Sequence, residues 1–192
     1  PCVRPQPVPV LLVWSVPVPI RPPAPIVNLL LAALPRAERE RFVAGCEPVE
    51  LGFAQVLAES GERVRHVYFP QGCLIALTAA ADTRNSLEVG LIGDEGMLDA
   101  PLALDGERSL LRALVQGAGP ALRMEALPFR RALATSPALR GELDRYLCVT
   151  LSQLAQAAAC NRFHALEARL ARWLLMTQDR THADAFLLTH AF

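Results

Sequence analysis

The sequence predicts an α+β chain in which short helices lead into an antiparallel β-roll of the jelly-roll type and a long helix leaves it. Three observations carry this expectation. Short apolar segments punctuated by glycine run from Val49 to Met124. A stretch from Pro137 to Met176 has no proline after its first residue and is dense in strong helix formers. Two short helical segments lie between Asn28 and Cys46. With 192 residues and 52% hydrophobic content, the chain can bury one substantial core.

In chain order, residues 1–27 come first and differ from the rest. Nine of the sixteen prolines fall there, interleaved with valine as in VPVPI, which predicts an extended, disordered leader. A secretory signal is the rival, because Arg4 precedes an apolar run from Val8 to Ile20. Prolines interrupt that run, and no small-x-small cleavage site follows cleanly. Residues 28–46 then read as two helices joined at Leu34-Pro35, the second charged, with Phe42 and Val43 turned inward.

Within the β region, VRHVYF, CLIALTAA, LEVGLI, LLRALVQ and ALRM have strand length. ESGE, FPQGC, ADTRNS, IGDEG and LDGERS between them carry turn chemistry. Several short strands at near-regular spacing predict the roll. A helix returns over Leu127–Ala134, and Ser136-Pro137 then supplies an N-cap and a first-turn proline for the long one.

On that helix Leu143, Leu147, Leu151, Leu154 and Ala158 recur at spacings of three and four. A continuous helix through Met176 would extend roughly 60 Å, whereas a domain of this size has a radius of gyration near 15 Å. The helix must therefore protrude, break or pair. Pairing into a homodimer along the stripe is expected, helped by the small run Ala157-Ala158-Ala159, with a hinge from Asn161 to His164. The alternative is one buried core helix in a monomer.

Nineteen basic residues, all arginine, balance nineteen acidic ones and form no stripe, so net charge gives no case for nucleic-acid binding. Cys2, Cys46, Cys73, Cys148 and Cys160 are scattered without metal-ligand spacing. They read as reduced thiols of a cytoplasmic protein, and no metal site is expected.

Taken together, ESGERVRHVYFPQGCLIAL, IGDEGM, GERSLLRA and LARWLLM stand in an order that resembles the Crp/Fnr family of bacterial transcription regulators, from about Asn28 to Phe192. The resemblance implies a cyclic-nucleotide-binding-type β-roll over 28–136, a dimerisation helix over 137–164, and the start of a winged helix-turn-helix over 165–192. It also implies a partner in a second copy of the chain. The family's DNA reader would begin near LLTHAF. The recognition helix lies outside these residues, so DNA is a partner of the full-length family form and not expected of this chain.

The same resemblance implies a small effector, a cyclic nucleotide of the cyclic AMP type or another molecule. Its phosphate would go to Arg108 and Ser109, and its ribose to Glu95 beside Gly96. The sequence departs from the pattern here. The family's Gly-Glu is inverted to Glu95-Gly96, Leu110 follows Arg-Ser, and the positions that read the base fall at Leu154 and Ala155, leaving Gln153 or Gln156 to substitute.

Two other function classes fit the residues less well. A metal-dependent jelly-roll enzyme needs several inward histidines, and only His66 lies in the β region. HExxH, G-x-S-x-G and P-loop motifs are all missing, so no enzyme is expected. A haem or iron–sulfur sensor needs closely spaced cysteines near the N-terminus, where only Cys2 and Cys46 lie. A further alternative is a stand-alone module that heterodimerises with a full-length relative and inhibits it.

Overall fold

A computed structural model describes residues 27–80 and 86–181. The leader expected over residues 1–27 and the helix-turn-helix start at LLTHAF fall almost wholly outside the described residues.

The described chain opens with two short helices, α1 (Leu29–Ala32) and α2 (Arg36–Ala44). Asn28 caps α1 by accepting a hydrogen bond from the Leu31 amide at 3.1 Å, as a short polar side chain at an N-cap does. Phe42 of α2 is buried. Val43 is 36% exposed, which corrects the expectation that both turn inward. In so short a helix successive residues point well apart, and the core takes only one of them.

Seven strands follow: β1 (Glu47–Leu51), β2 (Val56–Ala58), β3 (His66–Pro70), β4 (Leu74–Ala80), β5 (Ser86–Ile92), β6 (Arg112–Gly117) and β7 (Gly119–Glu125). All pair antiparallel, in a three-stranded sheet ordered β1-β7-β3 and a four-stranded sheet ordered β2-β6-β4-β5. The two sheets face one another across Leu51, Tyr68, Ile75, Ile92, Leu98 and Val115, forming the β-roll that the strand-length segments predicted.

A second core lies between the three-stranded sheet and the helices. Phe42, Phe69 and Phe129 meet there with ring centroids 5.4–6.4 Å apart, two of the three pairs edge to face, a favoured geometry for aromatic rings. Phe129 belongs to α3 (Ala126–Thr135), and Leu139 and Leu143 of the long helix complete the cluster.

The long helix, α4 (Pro137–Phe163), has 27 residues and spans about 40 Å. Ser136 caps it by accepting from the Leu139 amide at 3.0 Å. His164 is its C-cap, and Asn161 is still inside the helix. α5 (Leu166–Thr181) then turns back so that Trp173 and Met176 pack on Leu74, Ala76 and Leu91 of the four-stranded sheet.

The leucine stripe of α4 divides between two environments. Leu143 is fully buried in the chain's own core, and Leu147 packs against the same cluster, because the roll, α1 and α3 need covering at the helix's N-terminal half. Leu151 is 66% exposed, Ala158 is also exposed, and Leu154 is half-buried. The five residues are therefore not one free face, which corrects the expectation of a single seam. Of the described cysteines, Cys73 and Cys160 are buried, Cys46 is half-buried and Cys148 is exposed on α4.

Candidate functional site

The loop from Gly93 to Ser109 links β5 to β6 and holds all four residues nominated for effector binding. It contains a 3-10 turn, Ala100–Leu104, flanked by Asp99 and Asp105, both in the left-handed backbone region with φ of 62° and 60°. Aspartate tolerates that region better than most residues.

At the loop's start the chain approaches the helices closely. A methyl group built on Gly96 would stand 2.3 Å from the Tyr146 hydroxyl, and one on Gly93 would stand 2.8 Å from the Arg180 side chain. The two glycines form sockets for these residues of α4 and α5. Tyr146 donates from its hydroxyl to the Met97 carbonyl at 3.3 Å, and burial, followed by the nearby Glu95 charge, pushes its pKa up to about 12. Arg180 donates from Nε to Glu95 Oε1 at 2.7 Å, with only 9% of its side chain exposed. Glu95 Oε2 accepts from the Gly93 amide at 3.1 Å. Glu95 is thus held by its own loop on one side and by α5 on the other.

Asn28 adds a third attachment. Fully buried, it donates to the carbonyls of Pro70 and Gly96 at 3.1 and 2.8 Å while capping α1, so both its donors and its acceptor are satisfied.

The second half of the loop has other partners. Arg108 donates from Nη1 to the Gly61 carbonyl at 2.7 Å and is exposed. Ser109 is buried and hydrogen-bonds the Asp99 carboxyl, whose pKa burial nonetheless raises to about 6. Beside them a cavity of about 240 Å³ is lined mainly by polar groups, among them Arg63, Arg65, His66, Tyr68, Asp99 and Ser109. The four nominated residues therefore fall into two sets. Glu95 and Gly96 face α4 and α5, while Arg108 and Ser109 face the 59–64 hairpin.

A further attachment joins α5 to β5. Trp173 Nε1 donates to Glu88 Oε1 at 2.5 Å, and Gln116 Nε2 donates to Glu88 Oε2 at 3.4 Å. Burial raises the Glu88 pKa in spite of both donors. Among the described residues no group of three or more His, Cys, Asp or Glu side chains could hold a metal ion, and no helix is long and apolar enough to cross a membrane.

Tyr146, Arg180, Glu88 and Trp173 were not singled out from the sequence. The one local signal was the Gly93-x-x-Gly96 spacing, which marks close approach without naming what approaches.

No protein-family model matches the sequence, and no curated protein sequence matches it. Solved structures do match. The c-di-GMP responsive global regulator CLP of Xanthomonas campestris is 15% identical, with a TM-score of 0.64 over 80% of this chain and 75% of that one. The catabolite activator protein of Thermus thermophilus is 14% identical, with a TM-score of 0.55 over 78% of this chain and 64% of that one. The sensor domain of the transcriptional regulator DNR from Pseudomonas aeruginosa is 14% identical, with a TM-score of 0.51 over 65% and 92%. The chain has a Crp/Fnr-like cyclic-nucleotide-binding fold.

Proposed function

We propose that this chain is the sensing and dimerisation portion of a Crp/Fnr-like transcription regulator and not an enzyme. The observation that carries the reading is the set of direct attachments from the Gly93–Ser109 loop to α4 and α5, through Tyr146 to the Met97 carbonyl and Arg180 to Glu95. An effector bound at the roll would favour one arrangement of this loop, and the loop would pass that preference to the helices that pair two copies and carry a DNA reader. The fold neighbours named above are transcription regulators or their sensor domains, which supports the same role.

On this reading the effector is a small molecule of the cyclic-nucleotide class, and the chain acts as a homodimer in the cytoplasm. Exposed Leu151 and Ala158, seven residues apart and so on one side of α4, form the surface that a second copy covers. The test is a chimera in which residues 27–181 replace the sensing portion of a Crp/Fnr regulator with a known operator. The chimera is expected to bind that operator as a dimer and to lose binding on Leu151→Lys. Monomeric behaviour, or operator binding indifferent to Leu151→Lys, would overturn the reading.

A further inference from the structure

The inner angle between α4 and α5 carries an unpaired positive charge. Arg169 and Arg172 lie one turn apart on α5, both half-buried, and among the described residues neither makes an ion pair or a side-chain hydrogen bond. A guanidinium held partly out of water without a partner is costly, and arginine forks match phosphate geometry better than any other side chain.

Two hollows meet at Arg172. An inner one of about 90 Å³ lies between β5, α4 and α5 and is lined by Arg169, Arg172, Asn161 and Gln153 among others. An outer one is a shallow, open groove that runs along α4 past Ser152, Gln153 and Gln156 to Arg172. The inner hollow has the volume of about three waters, enough for a phosphate-sized group. Glu88, the carboxylate on its wall, accepts from Trp173 and Gln116 and forms no ion pair with either arginine.

We propose that this angle is an anion site, taking the phosphate of a nucleotide-class small molecule on Arg169 and Arg172, with its remainder along Gln153 and Gln156. The proposal rests on the sensor reading above but moves the ligand's charged end away from Arg108. A ligand there touches both α4 and α5, so its binding would fix the angle between them.

The test is calorimetric titration of the full chain with inorganic pyrophosphate and with cyclic AMP. At least one is expected to bind more tightly than about 1 mM. Losing both guanidinium contacts in Arg169→Gln/Arg172→Gln should weaken binding by about a hundredfold, since each charge-assisted hydrogen bond contributes roughly tenfold or more. Arg169→Lys/Arg172→Lys should retain part of it, and Arg108→Ala all of it. Circular dichroism checks that the variants fold. Binding lost in Arg108→Ala but kept in the double glutamine variant would overturn this site while leaving the sensor reading intact. Absence of heat from both probes would overturn the site outright, and the operator assay above would then judge the sensor reading by itself.

Discussion

Gly96 sits where even a methyl group would overlap the Tyr146 ring, with Tyr146 Cε2 and Cζ at 2.5 Å from the Cβ position. Gly96→Ala should therefore cost roughly 1–3 kcal/mol, the range for overpacking a close contact. Urea unfolding measures this. Combining it with Tyr146→Ala should give a loss smaller than the sum of the two single changes, because the residues share one contact. Asp99 supplies a test of opposite sign. Its folded pKa of about 6 lies above the ordinary aspartate value, so its stabilising contribution is complete below pH 4 and is lost as pH rises through 6. Asp99→Asn keeps an acceptor for Ser109 and tolerates the left-handed backbone. It should raise the melting temperature at pH 7.5 by a few degrees, on the order of 1 kcal/mol after allowing for solvent at this half-buried site, and change nothing at pH 4. Equal melting temperatures at both pH values would contradict this account.

At the scale of elements, the attachment of α5 rests on Arg180 and Trp173. Arg180→Gln leaves Glu95 without its cation, and the expected loss is about 1–3 kcal/mol, the worth of a charged hydrogen bond in a mostly buried setting. The loss should concentrate in α5, so hydrogen exchange over residues 166–181 should speed up while the strands are unchanged. Uniform acceleration across the roll would show that the ion pair supports the whole fold instead. These elements were largely legible in the sequence: VRHVYF, CLIALTAA, LEVGLI, LLRALVQ and ALRM each fall in or overlap a strand, and Ser136-Pro137 does open the long helix. Periodicity reports the apolar side of a helix but not its cover, so the stripe alone points Leu143 at a partner when the chain's own phenylalanine cluster takes it. The site was less legible for a related reason. Glu95 and Arg108 were visible as chemistry, but their partners Arg180 and Gly61 are 85 and 47 positions away, and no local pattern links them.

For the whole molecule, the α4 stripe divides into a part that serves folding and a part left exposed. Leu143→Lys would place a charge in the core and should abolish cooperative unfolding. Leu151→Lys should change the stability of the single chain by less than about 1 kcal/mol and convert a dimer to a monomer in sedimentation equilibrium. An unchanged mass would remove Leu151 from the contact between copies. Cys148 extends this argument. Burial raises the thiol pKa of Cys73 to about 11 and of Cys46 to about 12, so both are poor nucleophiles, whereas Cys148 lies in the open three residues before Leu151. If two helices meet at Leu151, the wild-type chain already carries a sulfur tether beside the meeting point. Mild oxidation should then lock neighbouring copies into a covalent pair that a reducing agent releases, recording their encounter without any engineered change.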